Sequence, residues 1–306
     1  MIKSDMVVKS NKLNTAIQNL SLTEIRLIQL AIIDAREHNR GLSADKPLRI
    51  DAKRYAEAFE VSRQTAHEAI LNAEKTLFNR QFSFLNEKDR LVKSRWVQRV
   101  EYLDNESAIE VIFTYDVIKE IAKVNGKVDF FTKYLLKQTS SMTSSYSVRL
   151  YELLVQWKAA KRTPEFDLQQ FREQLGVDSD DYSRMSDFKK RVLDVGVKEI
   201  NNKSDLIVGY EQKKKGSKIS GFCFTVKVKP SAKPTDKNLE DKVIVFTDKQ
   251  LERIARNTQF IADYNHLVSS TSAAGQDPKA FTFEMVSRLK NNPNQFTKKP
   301  LKDYLV

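Results

Sequence analysis

The strongest limit on what this chain can fold into is one pattern that occurs twice. Ile50-Asp51-x3-Tyr55-x3-Phe59-x-Val61 returns 116 residues later as Phe166-Asp167-x3-Phe171-x3-Leu175-x-Val177. An apolar residue, an acidic cap and apolar positions four apart read as a strand end running into a short amphipathic helix. The surroundings recur as well. A helix over 22–37, opened by the capping-box pattern Ser21-x-x-Glu24, precedes the first copy, and a helix over 147–160 precedes the second. Asp51 and Ser62 are expected as helix caps. A second helix follows each copy: 63–79 buries Ala66, Ala69, Ile70, Ala73 and Leu77, and 183–201 buries Phe188, Val192 and Val195. Strand-like runs close both units, at 81–86, 91–103 and 107–113 in the first and at 206–213 and 218–229 in the second.

Two short helices joined by a tight turn and followed by a β-ribbon are the layout of a winged helix. The expected fold class is α+β: two tandem winged-helix domains plus a helical or irregular C-terminal tail. The expected domains are 1–128, 129–230 and 231–306, with the first break between about Lys123 and Phe131, and a length of 306 residues suits that count. Residues 230–242 read as a polar linker. Thr247-Asp248-Lys249-Gln250 opens a helix to about Tyr264, and the remainder is expected to hold at most short helices.

Charge enters because it is uneven. The chain has 52 Lys+Arg against 40 Asp+Glu, a net +12. Residues 131–230 hold 19 basic and 12 acidic side chains, whereas 1–130 hold 21 and 19. Such a balance points to a polyanion, either nucleic acid or an anionic membrane surface, or serves solubility alone. The single cysteine, Cys223, excludes an internal disulfide framework or a Cys-based zinc cage and suits a reducing cytoplasm. No apolar run approaches the roughly 20 residues of a membrane span, and the N-terminus does not read as a signal peptide. The expected location is cytoplasmic, with no membrane partner.

Catalytic patterns are missing. His38, His67 and His266 are far apart, with no H-x-H or H-E-x-x-H spacing for a metal, and there is no G-x-x-x-x-G-K-[ST] phosphate loop. No catalytic residue, cofactor or metal is assigned. His67 reads as a solvated surface histidine, Cys223 as a buried structural thiol, and Asp178, Asp180 and Asp181 as solvated loop carboxylates. Gly216 reads as a turn residue with positive φ.

The remaining chemistry is that of DNA binding. On helix 183–201, Ser183, Arg184, Ser186, Asp187, Lys189, Lys190 and Arg191 lie on or beside the polar face, and a B-DNA major groove accepts such a helix. Lys213, Lys214, Lys215, Ser217 and Lys218 form a wing for the adjacent backbone, which makes binding steeply salt-dependent. In the first unit the corresponding residues are Arg63, Gln64, Thr65 and His67, with Lys93 and Arg95 on its ribbon. That ribbon can instead pair edge-to-edge with another subunit.

Several ordered motifs then carry a family likeness. Val7-Val8-Lys9-Ser10-Asn11-Lys12-Leu13 through Leu20-Ser21-Leu22-Thr23-Glu24-Ile25-Arg26-Leu27 resembles the iteron-binding plasmid replication initiators. So do Tyr146-Ser147-Val148-Arg149-Leu150-Tyr151-Glu152-Leu153-Leu154, Phe188-Lys189-Lys190-Arg191-Val192-Leu193, Lys198-Glu199-Ile200-Asn201 and the run Lys214–Phe222. The likeness covers about residues 5–229 and extends to initiators of small circular episomes. It implies two winged helices, the second reading origin repeats in the major groove and the first mediating dimerisation with secondary DNA contacts. It also implies monomers that open the origin and recruit host replication proteins such as a helicase or initiator, and dimers that repress their own promoter. The alternative reading is a winged-helix transcriptional repressor without a replication role. An origin-nicking enzyme is disfavoured by the missing histidine cluster.

Overall fold

The computed structural model describes residues 5–86, 88–104, 106–122, 131–178, 180–230, 248–269, 272–291, 295–296, 298–299 and 301–305. Residues 123–130, residues 231–242 of the expected linker and Thr247 lie outside the described residues. Two compact units are formed, Met1–Ser231 and Ala232–Val306.

The first unit begins with β1 (Met6–Ser10), α1 (Asn11–Asn14), β2 (Ile17–Gln18) and α2 (Leu22–His38). The capping box is present: Ser21 N–H donates to Glu24 Oε2 at 2.7 Å and Glu24 N–H to Ser21 Oγ at 3.3 Å. Then come β3 (Leu48–Asp51), α3 (Ala52–Phe59), α4 (Arg63–Leu77), β4 (Gln81–Leu85), β5 (Leu91–Arg95), β6 (Val97–Leu103), β7 (Ala108–Phe113) and α5 (Tyr115–Ala122). After β8 (Phe131–Leu135) come α6 (Ser145–Val155), β9 (Phe166–Asp167), α7 (Leu168–Leu175), α8 (Met185–Phe188), a π-helical turn (Lys189–Leu193), α9 (Asp194–Lys203), β10 (Leu206–Lys215) and β11 (Lys218–Val228).

The sequence repeat is a topological repeat. Both winged helices build a three-stranded sheet of the same order, β3-β7-β6 and β9-β11-β10, with the last strand central. The short strand before the first helix pairs antiparallel with that central strand, Ile50 opposite Ile109 and Phe166 opposite Phe222.

Six expectations are corrected. Residues 91–103 are not one strand: β5 pairs with β4 and β6 with β7, in separate sheets. Trp96 is a bend between them, its N–H donating to Arg80 O and its carbonyl accepting Thr114 N–H, both at 3.3 Å, so the chain changes sheets there. The helix before the second repeat ends at Val155 rather than at 160, because Lys161 O accepts Val226 N–H at 2.9 Å and the chain must lie along β11. Val195 is exposed, not buried. The π turn inserts an extra residue and rotates the rest of the helix, so Leu193 and Gly196 occupy the buried stripe instead. A Cβ on Gly196 would lie 2.8 Å from Leu150 Cδ2, so the phase is set by close packing of α9 on α6. Asp51 stands at the cap of α3 but makes no capping bond, since its carboxylate accepts from Arg49. Its repeat partner Asp167 does cap, accepting Gln169 and Gln170 N–H at 3.0 and 3.1 Å.

The second unit carries the last two corrections. Residues 248–264 form two helices, α10 (Asp248–Arg256) and α11 (Thr258–Tyr264), broken where Asn257 caps the latter. After α12 (Ala273–Gln276), α13 (Pro278–Asn291) runs for 14 residues and is not short. Apolar periodicity closes a separate core around Ile254, Phe260, Tyr264, Met285 and Tyr304.

Candidate nucleic-acid interface

The continuous helical run 185–203, termed the reading helix after the role expected of it, presents Ser186 and Lys190 to solvent, with Arg191 exposed beside them and Ser183 and Arg184 exposed just before its start. Asp187 and Lys189 are half-exposed. Ser183, Arg184, Asp187 and Arg191 line one shallow concavity with Tyr182. In its first half two bonds tie the helix to β10: Lys189 Nζ donates to Gln212 Oε1 at 3.3 Å, and Tyr210 Oη donates to Asp194 Oδ1 at 2.7 Å. Burial, with the Asp194 carboxylate beside it, pushes the Tyr210 phenol up to about 12. Helix and hairpin are thereby joined side by side.

The wing turns at Gly216-Ser217, between the paired residues Lys215 and Lys218. Gly216 has φ +66°, as expected for the tight turn. Lys214, Lys215 and Lys218 are exposed and have no ion pair among the described residues, whereas Lys213 lies 3.6 Å from Glu211. Like charges directly opposite each other weaken a hairpin. Lys215 facing Lys218 is an arrangement that a polyanion relieves.

The structure disperses the candidates of the first winged helix. Arg63, Gln64 and Thr65 are exposed on the first turn of α4, where Ser62 caps by accepting Thr65 N–H at 3.1 Å. Gln64 donates to Glu68 at 3.2 Å. His67 is half-buried rather than solvated: Nδ1 is 3.2 Å from Ser107 Oγ and its ring meets Tyr102 edge-on. Lys93 and Arg95 belong to β5, not to the β6–β7 wing. Arg95 Nη1 donates to Phe78 O at 2.8 Å and Asn79 Oδ1 at 3.1 Å, past the far end of α4. A 15-residue helix separates them from Arg63 by about 22 Å. Asp51, Lys53, Arg54, Glu57, Arg63 and Glu106 surround the α4 start with both signs of charge. Cys223 is buried and free, as expected.

Sequence reasoning missed what holds this helix and hairpin in place. Glu199 of α9 accepts the Thr143 and Ser144 N–H groups at 3.0 and 3.2 Å, closing the N-terminal end of α6. Burial opposes its ionisation, but donors from Lys203 and Thr143 outweigh it and bring the carboxyl down to about 2. Asn201 donates to Val208 O at 3.0 Å and accepts Val208 N–H at 2.7 Å, imitating a strand along the outer edge of β10. Gly176, the αL cap of α7, meets the first winged helix: a Cβ there would lie 2.8 Å from Gln18 O. Residues of the Lys-Glu-Ile-Asn run are thus scaffolding, and only their contact with distant partners reveals it.

Known proteins give this geometry its context. The family described as "Initiator Replication protein, WH1" matches residues 6–155, and "Initiator Rep protein, WH2" matches 167–226; together they take in over half of the chain. A replication initiation protein of Escherichia coli is 23% identical over 236 residues, 74% of this chain and 71% of that protein. An uncharacterized 27.6 kDa protein of Escherichia coli is 21% identical over 234 residues, 73% of this chain and 95% of that one. The crystal structure of the Pi initiator protein in complex with iteron DNA superposes with a TM-score of 0.61 and 22% identity, covering 78% of this chain and all of that one. That likeness shows the fold, a pair of winged helices.

Proposed function

The chain belongs to the initiator replication protein family, and from that premise we propose that it initiates plasmid or episome replication by binding repeated origin sequences. The observation that carries the reading is the reader of the second winged helix. An exposed face with Arg184, Ser186, Lys190 and Arg191 is locked by Lys189–Gln212 to a wing bearing three exposed lysines. Lys214, Lys215 and Lys218 anchor phosphates, and the helix offers Ser186, Asp187, Lys190 and Arg191 to base edges. Residues 129–230 act as the main reader. Residues 1–128 add contacts through Arg63, Gln64 and Thr65 and mediate dimerisation, the dimer repressing the chain's own promoter. The activity is binding rather than catalysis, it takes place in the cytoplasm, and host replication proteins are recruited to the opened origin. No helix of the described residues is long and apolar enough to cross a membrane.

The test is footprinting of the full chain on the DNA flanking its gene, followed by replication of a plasmid carrying gene and repeats in a host without other initiators. Protection of tandem repeats with autonomous replication is expected. Protection confined to the promoter without replication assigns a repressor instead, and metal-dependent nicking of supercoiled plasmid assigns an enzyme.

A further inference from the structure

Arg172 backs the turn that feeds the reading helix. Arg172, on α7, donates from Nη1 to Tyr182 O at 3.4 Å and from Nη2 to Asp178 O at 3.5 Å and to Asp181 O. Its guanidinium carbon also lies 4.8 Å from the centroid of Phe188, which is fully buried and is the first core residue of the helix. One planar cation therefore touches both the turn and the helix. Tyr182 needs such a hold, since its φ is +48°, a left-handed conformation that bulky residues keep only when their surroundings impose it. Ser183 and Arg184, the exposed residues at the reading end, follow directly.

The repeat supplies an internal control. The position matching Arg172 in the first winged helix is Ala56, and there only residues 60–62 separate α3 from α4. The longer turn and the arginine occur together. A guanidinium suits the task because its flat fork serves several carbonyls while its face covers a ring, which an ammonium does less well.

We propose that Arg172 is a positioning residue that sets how the reading helix meets DNA, acting through the turn and Phe188 without touching DNA. This rests on the second winged helix being a sequence reader. The experiment uses duplexes selected by the wild-type full chain from a randomised pool, and an unrelated duplex as the non-specific probe. Arg172→Gln is expected to lower the ratio of selected to unrelated affinity by about tenfold or more, with non-specific affinity and the slope against salt unchanged. Arg172→Lys is expected to fall between.

A folded Arg172→Gln protein with an unchanged ratio overturns the proposal. So does a slope reduced by about 0.9, which would place the guanidinium on a phosphate. Should Arg172→Gln fail to fold, Arg172→Lys decides: a ratio lowered about threefold or more supports the role, and an unchanged ratio overturns it. Failure of the wild-type chain to select any sequence overturns the DNA-reading function first, and the role of Arg172 with it.

Discussion

Lys9 Nζ lies 2.7 Å from Glu152 Oε1, and both side chains are buried, one on the first strand and the other on the helix that opens the second winged helix. The same carboxylate accepts Tyr134 Oη at 2.6 Å and Arg149 Nη1 at 2.6 Å. Arg149 Nη2 continues to Asn14 O at 3.1 Å, Ala16 O at 3.2 Å and Gln174 O at 3.0 Å, joining the N-terminal segment to α7. Two runs that carry the family likeness, one holding Lys9 and one holding Arg149 and Glu152, meet in this network. Through it they join the two winged helices, and Lys9, Arg149 and Glu152 are buried in the junction.

Removing one member strands a buried charge. Lys9→Met is expected to destabilise the chain by about 3–5 kcal/mol, measured by urea denaturation. Adding Glu152→Gln to Lys9→Met should recover part of that loss, because the carboxylate left unpaired by the first change is then neutral. Strictly additive losses would show that the two residues are not coupled.

Acid should release two depressed carboxyls. Burial pushes Glu152 up, but Lys9 and Arg149 beside it outweigh burial and hold it at about 2, the same value as Glu199. Their ordinary value is 4.5, so the stabilisation is complete above about 4.5 and disappears as pH falls towards 2. Melting temperature against pH checks this, and Glu199→Gln should lower it above 4.5 while flattening the decline below.

The outer edge of β10 depends on one side chain. Asn201→Ala removes both bonds to Val208 and is expected to cost about 1–3 kcal/mol. Asn201→Asp should restore the acceptor but not the donor, giving an intermediate loss in the same denaturation assay.

Wing and helix should separate in DNA titrations. Lys215→Ala is expected to weaken binding to all sequences and lower the slope against salt by about 0.9. Lys190→Ala or Arg191→Ala should cost about 1–3 kcal/mol on repeat DNA for each lost base contact. Gel-shift affinities on repeat and unrelated duplexes across a salt series distinguish the two, and Lys213→Ala, already paired with Glu211, should change least within the wing.

Much of the fold could be read from the chain because its signals are local. The repeat at 116 residues, the Ser21–Glu24 box and the Lys214–Lys218 turn depend on near neighbours in sequence. Period and cap chemistry operate within a few residues of themselves. The tertiary structure decided what depends on distant partners. It split 91–103 at Trp96, placed Lys93 and Arg95 in a sheet apart from the β6–β7 wing, and turned Val195 outward through a π turn set by packing against Leu150. It also settled which cations remain available: Arg95 is spent on α4, Lys189 on Gln212 and Lys213 on Glu211, while Lys214, Lys215 and Lys218 stand exposed. A charge is written in the sequence, but its partner is chosen by folding, which brings residues as far apart as Lys9 and Glu152 to hydrogen-bond distance.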